Sequence, residues 1–171
     1  IVREADKICP VKPVQIDGIT RVNVFLTTPE GEYKFPNAGA EVNRSKQEEM
    51  LSLIRGLDDL ECLVVSGSLP TGIDASYYDE LIEVVREKGA EFVLDISHKH
   101  LRELVEKEPL LIKPNDEEVA AIFGVDVKSE RDIVSALHAI HDAGAKNILL
   151  TLGGEGAYFF NAEHVWHANA A

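Results

Sequence analysis

The sequence is poor in cysteine, in basic residues and in long apolar runs, and each shortage excludes a class of protein. Two cysteines in 171 residues are too few for a disulfide-stapled scaffold or a four-cysteine zinc site. Asp and Glu number 30 against 17 Lys and Arg, and the resulting net charge of −13 argues against a nucleic-acid binder or a protein that docks on anionic membranes. No apolar run approaches the roughly 20 residues of a membrane span. We therefore expect a soluble, cytoplasmic protein with no nucleic-acid or membrane partner.

What remains has the composition of an ordinary globular domain, with 45% hydrophobic and 27% charged residues. From residue 44 onward, segments with helical periodicity alternate with short apolar runs typical of strands. The predicted helices cover residues 44–57, 74–89, 99–107, 115–124 and 129–144, and the predicted strands cover residues 62–65, 92–95, 110–112, 147–151, 157–160 and 164–166. This alternation predicts an α/β fold with a mostly parallel sheet and helices on both faces.

The first part of the chain does not follow that rhythm. Apolar and β-branched residues from Ile19 to Thr27, a turn at Pro29–Glu32 and a second run from Tyr33 predict a β hairpin that stands apart from the sheet. Arg21 falls within the first of these runs. It is either a solvated charge on an edge strand or a bidentate clamp for a phosphate group.

Polar or glycine-rich residues follow four of the predicted strands, at the edge where doubly wound sheets bind ligands. The segments are Ser66-Gly67-Ser68, Asp95-Ile96-Ser97, Lys113-Pro114-Asn115 with Glu118, and Thr151 through Gly156. Each has a structural interpretation beside a functional one. Asn115 and Glu118 have the spacing of a helix-capping pair. Alternatively, Lys113 and Asn115 face nucleotide phosphates and Glu118 holds hydrated Mg²⁺, which needs only one or two carboxylates.

The glycines between Thr151 and Gly156 also allow two interpretations. They form a tight turn between strands, or their N–H groups form an anion-binding nest. Likewise, the hydroxyl groups of Ser66 and Ser68 belong to a simple turn or bind a sugar or phosphate group. The sequence contains neither G-x-G-x-x-G nor G-K-[ST], which argues against a nicotinamide-dependent oxidoreductase and against a P-loop enzyme.

Taken together and in order, these segments resemble the ribokinase-like sugar kinases of the PfkB type, in particular their phosphofructokinase and tagatose-6-phosphate kinase branch. The matching segments are Gly18–Val24, Ser66–Gly72, Leu111–Glu118 and Thr151–Ala157. The resemblance implies a three-layer α/β/α fold with a small β lid. The lid would comprise residues 12–42, and residues 1–11 and 43–171 would form part of the core.

The function implied by the resemblance is ATP-dependent phosphorylation of a hexose phosphate to a bisphosphate, with Mg²⁺. Fructose 1-phosphate is the first candidate substrate, and a 6-phosphofructokinase or tagatose-6-phosphate kinase is the alternative. By the same resemblance, Arg21 and Ser68 would bind the sugar phosphate, and Glu118 with Asp95 would hold Mg²⁺. The residues implied for ATP are Lys113, Asn115, Thr151, Leu152, Gly153, Gly154, Glu155 and Gly156. The lid would also form a homodimer contact.

The sequence departs from the family pattern at three places. It contains no Gly-Ala-Gly-Asp tetrad, which carries the catalytic aspartate in the family, and it lacks the early glycine-rich segment that contributes sugar contacts. His98 stands where members of the branch usually have glycine, and with His100 it is expected at the surface near the site. We therefore expect an incomplete copy without either family terminus and with negligible kinase activity. A non-catalytic sugar-phosphate-binding or dimerisation module is the competing hypothesis.

Overall fold

The computed structural model describes residues 2–97 and 99–170, so the expectation for His98 lies outside the described residues. The helices are Val2–Ala5 (α1), Arg44–Arg55 (α2), Tyr77–Glu87 (α3), Leu101–Val105 (α4), Asp116–Glu118 (α5) and Glu130–Asp142 (α6). The strands are Val24–Thr28 (β1), Gly31–Phe35 (β2), Cys62–Gly67 (β3), Glu91–Ile96 (β4), Leu111–Ile112 (β5), Ile148–Thr151 (β6), Ala157–Phe160 (β7) and Val165–Ala168 (β8). The chain divides into two compact units, Ile1–Asp58 with Leu69–Tyr77 and Asp59–Ser68 with Tyr78–Ala171.

The first unit contains the expected hairpin, in which β1 and β2 pair antiparallel from Val24 opposite Phe35 to Thr28 opposite Gly31. The first strand is shorter than expected, because it begins at Val24 and not at Ile19. The segment before β1 is held by a side chain and not by strand pairing: Nδ2 of Asn37 donates to the carbonyl oxygen of Val22 at 2.7 Å. Arg21 is therefore exposed on the segment before the strand, and the interpretation of Arg21 as an edge-strand charge is wrong.

In the same unit, α2 is tied to the segment that follows β3. Asn43 caps the helix as its side chain accepts from the N–H of Lys46. The buried Gln47 donates through Nε2 to the carbonyl oxygens of Val42 and Gly72, at 3.0 and 3.1 Å. These bonds satisfy a buried amide that would otherwise destabilise the fold.

Asp74 is not the N-cap of the next helix, contrary to the sequence prediction. Its Oδ1 accepts from the N–H of Ser76 at 2.9 Å, two residues away, which closes a turn of its own. The helix α3 then begins at Tyr77, two residues later than a cap at Asp74 requires.

The second unit is a six-stranded sheet in the order β3-β4-β5-β6-β7-β8. The first four strands are parallel and the last two turn antiparallel, which confirms the predicted mostly parallel sheet and the terminal antiparallel pair. Leu94, Ile112 and Ile148 are register partners on three neighbouring strands and are fully buried. Burial of such aliphatic side chains contributes about 1.5–3 kcal/mol each to folding, so this row anchors the sheet.

The helices of the second unit follow their sequence signals, with shorter ends, except that the helix predicted over 115–124 is α-helical only over Asp116–Glu118 and continues as a π-helix over Val119–Phe123. Ser129 accepts from the N–H of Asp132 at the start of α6, and the helix ends before Gly144 as expected. The helix expected at 99–107 is α-helical only over Leu101–Val105, because i to i+3 hydrogen bonds form turns on both sides of it. Within the described residues, no helix has the length and apolarity needed to cross a membrane.

Candidate active site

Three polar side chains form a row at the carboxyl ends of β3, β4 and β5. Ser66 and Asp95 are direct register partners in the parallel pair of β3 and β4. Lys113 is the first residue after β5, and its N–H donates to the carbonyl oxygen of Leu94 at 2.9 Å. Because side chains alternate between the faces of a strand, Ser66, Asp95 and Lys113 share the face opposite the buried row.

The row is joined by hydrogen bonds through the carboxylate of Asp95. The hydroxyl group of Ser66 donates to Oδ2 of Asp95 at 3.0 Å, and Nζ of Lys113 lies 2.9 Å from Oδ1. The side chains of Lys113 and Asp95 are 38% and 35% exposed, so the pair is open to solvent and to a ligand. The structure thus brings Asp95 and Lys113 together, and it adds Ser66, whose role the sequence prediction missed.

Asn115 and Glu118 form the capping box predicted as one of the two interpretations. Glu118 donates its N–H to Oδ1 of Asn115 at 2.7 Å, and Asn115 donates its own N–H to Oε2 of Glu118 at 2.9 Å. The box fixes both side chains at the start of α5. The amide nitrogen of Asn115 and the second carboxylate oxygen of Glu118 are not part of it.

The segment from Lys113 to Asn115 lies beside the glycine turn that follows β6. The N–H of Thr151 donates to the carbonyl oxygen of Pro114 at 3.0 Å, and Asn115 and Thr151 form a parallel bridge. Two of the segments that the sequence singled out are therefore side by side. Their spacing is set by the backbone, and the hydroxyl group of Thr151 adds a 3.4 Å hydrogen bond to the same carbonyl oxygen of Pro114.

The glycines of that turn differ in what the fold requires of them. Gly156 has φ of 99° and ψ of −141°, and a Cβ atom there would overlap the carbonyl oxygen of Ala168, so the fold itself requires this glycine. At Gly153 and Gly154 a Cβ atom would meet only open space. Their N–H groups donate to no backbone carbonyl among residues 2–97 and 99–170. These two positions therefore expose backbone donors in the manner of an anion-binding nest.

A cleft of about 410 Å³ lies next to the glycine turn. Its walls include Leu152, Gly154 and Glu155 from the turn, Lys128 from the segment before α6, and Tyr158 from β7. Both apolar and charged groups line the cleft. A ligand with a flat ring and a polar edge fits such a lining.

Carboxylates near the site are sparse. No group of three or more His, Cys, Asp and Glu side chains able to hold a metal occurs in the described part of the chain. Hydrated Mg²⁺ needs only one or two carboxylates, and Glu118 keeps one oxygen outside the capping box. The donor set therefore fits a magnesium ion held largely through water, and it does not fit a dehydrated transition metal.

The two residues expected to bind the sugar phosphate belong to different compact units. Ser68 is exposed just beyond the carboxyl end of β3 in the second unit, and Arg21 is exposed in the first. Both residues take part in interactions within the chain.

A second charged cluster, which the sequence prediction missed, joins α3 to α4. Nε2 of His100 lies 3.0 Å from Oδ2 of Asp79, and Nζ of Lys107 lies 3.2 Å from Oδ1 of the same carboxylate. Burial by itself raises the pKa of Asp79, but the hydrogen bonds and charges of His100 and Lys107 outweigh it and hold that pKa below its usual range. Because 21 residues separate Asp79 from His100, no local pattern reveals the pair.

Residues 10–171 match the model of the pfkB family of carbohydrate kinases. The chain belongs to this family. Its membership agrees with the mostly parallel α/β fold of the second unit.

Individual members of the family are similar over almost the whole chain. A D-tagatose-1-phosphate kinase from Klebsiella oxytoca is 39% identical over 160 residues, which are 94% of this chain and 53% of the relative. A 1-phosphofructokinase from Bacillus subtilis is 29% identical over 155 residues, 91% of this chain and 51% of the relative. The chain spans about half the length of the curated relatives it matches.

Among solved structures, phosphofructokinase-2 from Escherichia coli in complex with fructose-6-phosphate superimposes with a TM-score of 0.85 at 26% identity. The match covers 98% of this chain and 57% of that structure. The ribokinase-like fold expected from the resemblance is thereby confirmed.

Proposed function

We propose that the protein is an ATP-dependent kinase that phosphorylates a hexose phosphate to a hexose bisphosphate. The observation that supports this most directly is the set of donors at one sheet edge. Lys113, Asn115 and the N–H groups of Gly153 and Gly154 belong to two segments that the backbone holds side by side. The oxygens of a polyphosphate chain accept hydrogen bonds from donors of this kind: a cation, an amide and two backbone N–H groups.

The nucleotide would bind along these segments against the field of an acidic chain. The net charge of −13 repels a tetra-anion, so local donors must supply the attraction. Lys113 is a compact cation on a flexible stem, suited to following a phosphate group. The cleft of about 410 Å³ beyond Gly154 offers the volume for the base.

Glu118 is the residue we propose for magnesium, with Asp95 as the second carboxylate. Both would act through the ion's water shell, because the capping box and the Lys113 pair already engage part of each carboxylate. When bound, the metal neutralises charge on the phosphates of the nucleotide. The residues of this chain hold the two reactants in register, which contributes most of the rate in phosphoryl transfer.

The substrate class we propose is a ketohexose 1-phosphate, with fructose 1-phosphate first and tagatose 1-phosphate second. The names of the relatives at 39% and 29% identity support this, because both act on 1-phosphates. Arg21 would clamp the phosphate already present on the sugar, and Ser68 would hydrogen-bond to the same substrate. Fructose 6-phosphate and tagatose 6-phosphate remain the alternatives to be tested.

We also propose that residues 12–42 form a lid that pairs with a second copy of the chain. The hairpin exposes large apolar side chains on both faces, among them Phe25 at 66%, Phe35 and Leu26. A two-stranded ribbon with so much apolar surface is marginal in water by itself. Sedimentation of the wild type against Phe25→Ser tests this, and a monomeric wild type contradicts it.

The test of the proposed function has two parts. Calorimetry on the 171-residue chain measures binding of ATP, with and without Mg²⁺, and of the four ketohexose phosphates. An ADP-release assay on the full-length gene product then ranks the same four sugars. We expect ATP binding by the chain and highest turnover with a 1-phosphate. Absence of ATP binding, or turnover with a 6-phosphate alone, contradicts the proposal.

A second candidate function is a module that binds the sugar phosphate without turning it over. It would use the same sheet-edge donors for binding and the exposed apolar hairpin for association, without phosphoryl transfer. Sugar-phosphate and ATP binding with no ADP release by the full-length gene product would support this candidate over the kinase.

A further inference from the structure

Ser66 has no role in the proposed reaction, yet it is hydrogen-bonded to Asp95, the middle residue of the polar row. Its hydroxyl group donates to Oδ2 of Asp95 at 3.0 Å, while Lys113 occupies Oδ1 at 2.9 Å. Both oxygens of one carboxylate are thus bound, one by a residue of β3 and the other by the residue that follows β5. Resting on the proposed function, we infer that Ser66 is a positioning residue that orients the ammonium group of Lys113 toward the nucleotide by fixing the carboxylate of Asp95.

The need for such an anchor follows from the side chains involved. The last torsion of Asp has a broad, roughly two-fold distribution, so one hydrogen bond alone leaves the carboxylate free to turn. Lysine carries four rotatable bonds, and its ammonium group is ordered only by what it contacts. A donor on Oδ2 stops the rotation of Asp95, and Oδ1 then offers Lys113 one fixed position.

The backbone places Ser66 where its hydroxyl group can hold the carboxylate of Asp95. Ser66 and Asp95 are register partners at the ends of adjacent parallel strands, so their Cβ atoms point to the same face. Ser68, two residues further along, has already left β3. The hydroxyl group of Ser66 therefore acts on Lys113 through Asp95, whereas Ser68 is the serine that we propose for the sugar phosphate.

The experiment compares Ser66→Ala with Ser66→Thr, which keeps the hydroxyl group and suits a strand. The first readout needs no ligand: ¹³C relaxation gives the order parameter of the Lys113 side chain. We expect it to fall in Ser66→Ala and to keep the wild-type value in Ser66→Thr. Ser135→Ala on the exposed side of α6 is the matched control and leaves it unchanged.

The second readout is calorimetric binding of ATP in metal-free buffer and of fructose 1-phosphate. Ser66→Ala should weaken ATP binding about three- to tenfold, less than the loss of a hydrogen bond to a charged group, because it loosens the Lys113 contact and does not remove it. Sugar-phosphate binding should stay unchanged. In a Lys113→Met background the same substitution should have no further effect, because its action passes through Lys113.

The outcomes separate this inference from the proposed function. A wild type that fails to bind ATP overturns both. A wild type that binds ATP together with an unchanged Lys113 order parameter in Ser66→Ala, or with an effect that persists in Lys113→Met, overturns the positioning role alone. Equal losses in Ser66→Thr and Ser66→Ala also overturn it, since the hydroxyl group then has no special part.

Discussion

Asn115 and Glu118 cap each other: the N–H of Asn115 donates to Oε2 of Glu118 at 2.9 Å, and the N–H of Glu118 donates to Oδ1 of Asn115 at 2.7 Å. Two residues proposed for phosphate and magnesium therefore also begin a helix. A substitution that removes both the helix cap and the proposed ligand contact cannot tell the two roles apart. The capping box itself shows how to separate them, because Asp is as good an N-cap as Asn, and Gln replaces Glu at the third helical position.

For Asn115, the informative pair is Asn115→Asp and Asn115→Ala. Asp keeps the acceptor oxygen of the cap, so its free energy of unfolding should stay near the wild-type value, whereas Ala should lose about 1 kcal/mol. The new negative charge of Asp should nevertheless weaken ATP binding by about tenfold or more, because it faces the phosphates. Urea unfolding and calorimetry measure the two effects. Wild-type ATP affinity in Asn115→Asp would contradict the phosphate role.

For Glu118, the substitution is Glu118→Gln, with Glu117→Gln as control. Gln maintains the capping box, so the free energy of unfolding should change by less than about 0.5 kcal/mol. The loss of charge should remove most of the increase in ATP affinity that Mg²⁺ produces. Glu117 is exposed and makes the same change in net charge, and its substitution should keep that increase. Equal behaviour of the two variants in a magnesium titration would count against Glu118 as the metal residue.

The sequence predicted the sheet well because its signals are local. Apolar runs that end in polar residues locate β4, β5 and β6, and Asn115 and Ser129 predict where α5 and α6 begin. The pairing of the predicted capping box was confirmed for the same reason. These signals depend on residues at most four positions apart.

What the sequence could not predict depends on distant contacts. The start of β1 at Val24 reflects the bond from Asn37 to Val22, 15 residues away, and no periodicity encodes it. The bond from Ser66 to Asp95 spans 29 residues. It could have been found by aligning the ends of the two predicted parallel strands, which places both residues at the same register position. The division of the chain at residues 12–42 stays a prediction.

The glycine turn gives a matched pair of substitutions, Gly156→Ala and Gly154→Ala. Alanine at position 156 must adopt φ near 99° and overlap the carbonyl oxygen of Ala168, so we expect a loss of about 2 kcal/mol or more in the free energy of unfolding. Position 154 has open space, and alanine there should change stability by less than about 0.5 kcal/mol. A methyl group at 154 should still weaken ATP binding if the phosphates approach the backbone. Wild-type ATP affinity in Gly154→Ala would show that they do not.

Asp79 should make stability depend on pH at the acid end of the range. Because His100 and Lys107 hold its pKa below the usual 3.8, the folded chain binds fewer protons at this group than the unfolded chain does. The stabilisation is therefore complete above the unfolded pKa, near pH 4, and is lost as the pH falls through the folded value. Neutral and alkaline solutions should leave this contribution unchanged.

Asp79→Asn measures this contribution, with exposed Asp59→Asn as control. At pH 7 the substitution should lower the free energy of unfolding by about 1 kcal/mol, since it removes the charge that His100 and Lys107 bind at 3.0 and 3.2 Å. Urea unfolding from pH 7 down to pH 3 should show the difference from wild type shrinking below about pH 4. The control should differ little from wild type throughout. A constant difference across the range would mean that Asp79 stabilises the fold by packing, and not by its charge.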